Sequence, residues 1–406
     1  MTAAVLLRDR LCRAPWLNRD RVVTWCAILA VLEAAFLILI ACWQHGAFGP
    51  AAPTSSDFVS FYAAGKLALA GTPALAYDQA AHYMAEQAAR GSGAPYQFFF
   101  YPPVFLPICA GLAILPYYAA FVLFQAATLV PFLLVARTLL REPGWAWAVP
   151  VLAFPAVFWT IGLGQNAFLT AALFGGFTLL LDRKPATAGM LLGLMCYKPH
   201  FGVLAPVALI AGRHWRAFAA ATATLAALVG LSIVLFGVET WWAYLAANLN
   251  AKTVFASGRI DYAGIVTVFG AERLMGFAIG PAYALQAVAS LAMVMLVAVI
   301  WRRDDRPAVR RATLPAATLL TVPVALLYDQ VLLLLAILWL VKEARDTGFL
   351  PWERLALTSI YALSLLTWVL GTAWHLPLGP IAPGVLLLLC VRRLWWAPAI
   401  KPPRSA

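Results

Sequence analysis

Apolar runs close to the length needed to cross a bilayer recur along most of this chain, separated by Lys, Arg, Pro and short polar turns. A straight helix needs about 20 residues to span a hydrocarbon core ~30 Å thick. The pattern predicts membrane helices over 22–43, 117–140, 146–162, 167–182, 217–236, 282–301, 312–328, 355–372 and 378–394. Three shorter apolar pieces, 187–198, 200–212 and 330–341, are read as short or broken helices packed inside the bundle. Irregular backbone at such breaks is tolerated where it faces protein or a wet cavity. The run YPPVFLPICAGLAILP (101–116) is read as a re-entrant or juxtamembrane helix, because a full span there would expose Arg183, Lys184, Arg213 and Arg216 outside. The segment 263–280 is treated alike. The expectation is one all-α, polytopic integral membrane domain over 1–406, with about twelve spans (10–13). Its two long outer loops, 44–116 and 237–281, are too short for separate soluble domains.

Composition agrees with this reading. Apolar residues make up 63% of the 406 and charged ones only 11%, and mean hydropathy is +0.84. The net charge of +12 is explained by the positive-inside rule rather than by nucleic acid, since the basic residues lie in short clusters between apolar runs. On the predicted path 23 of the 29 basic residues are cytoplasmic, and only Lys66, Arg90, Lys198, Lys252, Arg259 and Arg273 lie outside. Both termini are then cytoplasmic. The basic N-terminus precedes a run too long for a signal-peptide core and without a clear cleavage site, so it reads as a retained first span. Six scattered cysteines show no metal-ligand spacing and read as small hydrophobes. No metal site or bound cofactor is expected.

Inside such a protein a polar side chain is costly and is a candidate for function. Asp57, Gln165, Asn166, Lys198, His200 and Asp329 all fall on the outer side of the predicted path. Each has a plainer reading. Ser55 or Asp57 can cap the helix that follows. Gln165 and Asn166 carry amides suited to sugar hydroxyls, although Asn166 also suits a helix cap. Lys198, ahead of Pro199 at a helix break, calls for an anion, or it snorkels or pairs with Asp329 or Glu33. Glu33, in the first span, reads as a buried hydrogen-bonding group. Asp329, beside Tyr328, orients Lys198, binds hydroxyls or marks a helix end. Lys252 and Arg259 of the second outer loop can grip phosphate or an acidic acceptor. Most of Tyr62, Tyr77, Tyr96, Phe98, Phe99, Phe100 and Tyr101 read as an interfacial aromatic belt.

Three ordered blocks carry a family resemblance: SSDFVSFYAAGKLALAGTPALAYD with a later YPP (55–78, 101–103), GLGQNAFLTAALFGGFTLLLDRKPATAGMLLGLMCYKPHFGVLAPVALIAGRHWRA (162–217), and LLYDQVLLL (326–334). Together they resemble family 87 glycosyltransferases, membrane enzymes of GT-C type that use polyprenyl-phosphate sugars. The chain departs from the commoner wording where Asn166 directly follows Gln165. The resemblance implies a GT-C helical bundle in a bacterial-type inner membrane. It also implies an α-mannosyltransferase-like activity, with Asp57 as general base and a glycan or glycolipid acceptor on the extracytoplasmic side. A lipid phosphate is already a good leaving group, so one carboxylate suffices and no general acid is needed, unlike glycoside hydrolysis. The leaving phosphate needs positive charge. Lys198 is the first candidate, with His200, Lys252 and Arg259 beside it. Two other classes remain open: a transporter or flippase of lipid-linked sugars, which calls for paired inverted repeats, and a non-catalytic membrane scaffold, which needs neither Asp57 nor Lys198.

Overall fold

The computed structural model of the chain describes residues 3–44, 47, 56–91, 93, 95–256, 260–303 and 306–396. The regular structure of these residues is helical, and among them the only strand-like pairing is an isolated bridge between Ile265 and Leu326. In chain order the helices begin with α1 Ala3–Arg13, α2 Arg19–Gln44, α3 Phe58–Leu69, α4 Gln79–Arg90, α5 Leu106–Ala113 and α6 Tyr117–Leu140. Then follow α7 Ala148–Leu152, α8 Pro155–Leu163, α9 Ala167–Leu180, α10 Pro185–Gly193, α11 Ala205–Ala211, α12 Trp215–Phe236 and α13 Val238–Ala256. The last are α14 Val268–Leu274, α15 Ile279–Trp301, α16 Pro307–Thr321, α17 Val331–Thr347, α18 Glu353–Trp374 and α19 Ile381–Trp396. Five of them, α2, α6, α12, α15 and α18, are long and apolar enough to cross a membrane, which makes this a multi-pass membrane protein by length and composition.

Several predicted spans change shape for local reasons. The stretch 146–162 is two helices, because Phe154 precedes Pro155 and a residue ahead of proline is pushed out of the α region. The span expected at 312–328 instead runs Pro307–Thr321, with Pro307 suited to its first turn. Arg310 and Arg311 do not end it, since their guanidinium groups lie over the rings of Trp301 and Trp339 at 5.0 and 4.9 Å. The piece expected at 330–341 continues to Thr347 and stops at Gly348, whose φ of +90° suits glycine alone. The helix α5 has 8 residues, about 12 Å, too short to cross by itself. In α2, Glu33 buries its Oε1 without a hydrogen-bond partner among the described residues, so the expected buried hydrogen bond is not made.

The chain forms two compact units, one of residues 29–135 and 156–261, the other of 1–28, 136–155 and 262–406. In the second unit α16 is buried from Ala308 to Thr321 and α17 from Val331 to Leu340. Arg393 and Glu353 there are fully buried and paired through two bonds of 2.5 and 2.6 Å, with Thr347 and the Gly348 carbonyl taking the other donors. A buried guanidinium is tolerable only when so completely satisfied. The first unit is organised around an aromatic core of Phe58, Phe61, Tyr62, Phe99, Phe105, Phe124 and Tyr197. Helices α3 and α5 approach so closely that a Cβ on Gly65 would stand 2.0 Å from the Cys109 carbonyl oxygen, a contact only glycine permits.

Candidate functional site

Asp57 precedes α3, with α-region backbone and no side-chain cap. The capping reading fails because its carboxylate is engaged elsewhere: Oδ2 accepts from Gln165 Nε2 at 2.8 Å, across 108 positions of sequence. Ser55 lies outside the described residues. The placement of Gln165 follows from the end of α8. Gly164 adopts φ +69°, and the Gln165 amide closes back on the Thr160 carbonyl at 2.9 Å, a glycine-terminated helix end. A Cβ at Gly164 would meet Phe58 Cβ and the Phe121 ring at 2.6 Å. Glycine therefore sets both the turn and the seat of Gln165 against α3.

Two further contacts lock that amide and a third holds its backbone. Tyr101 donates its hydroxyl to Gln165 Oε1 at 3.3 Å, the Asn166 N–H donates to the same oxygen at 3.2 Å, and Gln125 Nε2 donates to the Gln165 carbonyl at 3.0 Å. With Oε1 occupied by donors, Nε2 must face the carboxylate, which fixes the amide's sense from the network itself. Asn166 is fully buried and leads α9 without a side-chain cap. Both its side-chain atoms lack partners among the described residues, so the capping reading fails here too.

Lys198 sits between the 3-10 turns Leu194–Tyr197 and Pro199–Gly202, where Pro199 forces the break. It is 4% exposed, and its ammonium lies over the rings of Tyr101 and Phe201 at 6.0 and 5.4 Å, a cation–π setting. Tyr101 thus joins the two charged candidates, bonding the amide that holds Asp57 while facing the Lys198 ammonium. Its ring is held by Phe61 and Phe105 at centroid distances of 5.1 and 4.9 Å. Tyr77 donates to the Tyr101 carbonyl at 2.8 Å, and Thr170 bonds the Tyr197 hydroxyl at 2.6 Å.

The remaining candidates are less well gathered. His200 is exposed, with its ring on Phe201. Lys252 lies on α13 at a position whose side chain is outside the description, and Arg259 lies outside the described residues. Tyr328 and Asp329 belong to the other compact unit, on the 3-10 turn Leu327–Gln330. Asp329 there accepts from the Leu326 N–H at 3.0 Å and so caps its own turn. The aromatic belt also needs correction: Tyr62 and Phe99 are buried, and Tyr101 packs into the same core, because the outer-loop helices fold onto α6 and bury those rings.

Sequence reasoning missed the roles of Tyr101 and Gln125, although the YPP motif flagged the first. It also missed His82 and Glu86 on α4, a fully buried histidine and a 2% exposed glutamate whose i, i+4 spacing was the available signal.

The family comparison matches the description Glycosyltransferase family 87 over residues 99–327, more than half of the chain. That span includes Tyr101, Gln125, Gln165, Asn166 and Lys198; Asp57 lies ahead of it and Asp329 just beyond. No curated protein and no solved structure matches the chain significantly. By the extent of that match, the chain belongs to glycosyltransferase family 87 and is a membrane glycosyltransferase.

Proposed function

We propose that the protein transfers a sugar, mannose by the family resemblance, from a polyprenyl-phosphate donor to a glycan or glycolipid acceptor. The reaction takes place at the extracytoplasmic face of a bacterial-type inner membrane, in a GT-C bundle of about twelve spans with both termini inside. The observation that carries this reading is the half-buried Asp57 carboxylate, held at 2.8 Å by Gln165, whose amide is locked by the same Tyr101 that faces Lys198.

The chemistry is a single inverting displacement. The acceptor hydroxyl oxygen attacks the anomeric carbon, the bond from that carbon to the phosphate oxygen breaks, and the lipid phosphate leaves with the electron pair. Asp57 takes the hydroxyl proton, and Gln165 directs the carboxylate by occupying one of its oxygens. Lys198 offers the charge that the departing phosphate needs, and the Asn166 amide, unpartnered among the described residues, supplies a further donor and acceptor next to Gln165. Tyr328 and Asp329 bind or orient sugar, and His200, Lys252 and Arg259 assist at phosphate.

The test incubates the purified full-length protein with a panel of polyprenyl-phosphate sugars and measures released polyprenyl phosphate. The mannosyl donor should give the largest release. Asp57→Asn should lower kcat by about 10²–10⁴-fold, the usual worth of a general base, while donor binding persists. An intact Asp57→Asn protein with full activity removes Asp57 as base.

A further inference from the structure

Helix α4 lies in the first outer loop with its polarity inverted. Its exposed face carries Met84 at 66% exposure, while His82 and Glu86 turn inward. Burying two ionisable groups is costly unless their hydrogen bonds are met within the protein. Here one atom of each is met by a hydrogen bond and the other two face each other. His82 Nε2 donates to the Ser60 carbonyl of α3 at 3.1 Å, and since a carbonyl can only accept, that nitrogen carries the proton. Glu86 Oε2 accepts from the Gln97 N–H at 3.1 Å. Between them His82 Nδ1 and Glu86 Oε1 face each other at 3.5 Å, and neither makes a hydrogen bond to any described residue.

The ends of this chain of contacts matter. Ser60 is three residues past Asp57. Gln97 is four residues ahead of Tyr101, on the extended segment that carries the hydroxyl holding Gln165. Ring packing runs along the same line, with His82 against Tyr96 and Phe99 at 5.7 and 5.8 Å. One polar link thus ties the helix that begins at the candidate base to the segment that orients the base's amide partner.

We propose that His82 and Glu86 are positioning residues, a buried strut with one shared proton between Glu86 Oε1 and His82 Nδ1, which keeps Asp57 and Tyr101 in register with Gln165. The inference rests on the reading of Asp57 as base. Burial lowers His82 to about 4, opposed by its bond to Ser60. Burial raises Glu86 to about 8, opposed by the Gln97 N–H and reinforced by the Asp57 charge. At pH 7 the histidine is then neutral and the glutamate protonated, which sets a donor on Glu86 opposite an acceptor on His82. The other titratable groups around Glu86 are Tyr96 on the facing segment and Tyr117 of α6, while Arg90 lies over the rings of Tyr117 and Tyr118.

The sign of the pH dependence follows from both shifts. A raised carboxyl binds its proton more tightly in the folded state, so stability falls as pH rises from the unfolded value of 4.5 through about 8. The lowered histidine works oppositely, but only between about 4 and 6.5. Between pH 6.5 and 8 the Glu86 slope is therefore unopposed by His82.

The experiment uses the purified full chain in lipid nanodiscs as wild type, Glu86→Gln, Glu86→Ala, His82→Ala and Asp57→Asn. Melting is followed from pH 6 to 9 without substrate. Initial rates are measured over the same range with a short-chain polyprenyl-phosphate mannose. Wild-type Tm should fall on the order of 2 °C between pH 6.5 and 8.5. Glu86→Gln, which keeps both approaches, should flatten that slope, and Asp57→Asn should move the midpoint of the Glu86 part to lower pH. Glu86→Gln should keep kcat within about threefold at pH 7 and lose the wild type's alkaline decline. Glu86→Ala and His82→Ala should lose kcat by ~10-fold or more with donor KM within threefold, as expected of a displaced base. Should either fail to fold, Glu86→Gln decides the matter by its pH profile. An unchanged Tm slope in Glu86→Gln, or wild-type kcat in Glu86→Ala, overturns the strut. If wild type transfers no sugar, the proposed function fails instead, and the Tm profiles of wild type, Glu86→Gln and Asp57→Asn still decide for or against the strut.

Discussion

At the residue scale the candidate site rests on three side chains that share one intermediary. Asp57 is held by Gln165, Gln165 by Tyr101, and the ring of Tyr101 faces the ammonium of Lys198. An ammonium buried to 4% exposure over two aromatic rings is partly desolvated, which strengthens its attraction for an incoming phosphate. Lys198→Ala is therefore expected to raise the Kd for a polyprenyl-phosphate sugar by about tenfold, corresponding to ~1.4 kcal/mol, with acceptor KM nearly unchanged. Equilibrium binding of the donor lipid, compared with acceptor titrations, checks this; a larger effect on the acceptor refutes the phosphate role. Family membership sets aside the transporter and scaffold readings that the isolated residues left open.

At the scale of elements, the site is built at helix ends and breaks rather than within helices. Asp57 precedes α3, Gln165 follows the glycine that ends α8, and Lys198 divides two 3-10 turns. A polar side chain at such a place comes with free backbone groups and room to face a cavity. Two glycines separate backbone strain from steric fit. Gly71 and Gly164 have similar φ values, +76° and +69°, but a Cβ on Gly71 meets nothing within 4 Å while one on Gly164 strikes Phe58 and Phe121. Gly71→Ala should cost about 1–2 kcal/mol, the strain of the left-handed backbone, and leave kcat unchanged. Gly164→Ala should cost more and should also lower kcat, because the clash displaces Gln165 from Asp57. Melting curves and transfer rates of the two variants make the comparison.

At the scale of the whole molecule, the apolar helices, the placement of arginines and the polar network belong to one topological reading, whose orientation is open to direct test. With the six native cysteines replaced, Asp57→Cys is expected to react with an impermeant maleimide on intact cells, whereas Arg183→Cys should react only after permeabilisation. The reverse pattern would put the polar network in the cytoplasm and exclude an outer-face reaction. The buried Arg393–Glu353 pair and the rings over Arg310 and Arg311 show that not every basic residue near a span end is an exposed topology marker. Charge counts alone therefore misplace the start of α16.

The apolar helices, their breaks and most of the candidate residues were legible in the chain itself, since hydropathy, proline and glycine act over a few neighbouring positions. The run at 22–43 became Arg19–Gln44, and the Lys198–Pro199 break appeared where the residue before proline demands it. Which polar groups meet was not legible in that way. Asp57 and Gln165 lie 108 positions apart, Tyr101 and Gln165 64, and each contact depends on helix register and on close packing at Gly65 and Gly164. His82 and Glu86 drew no notice in the sequence, and only the fold turns them inward. Local patterns are set by each segment's own free energy in lipid and water; a partnership between distant side chains is set by how whole segments pack.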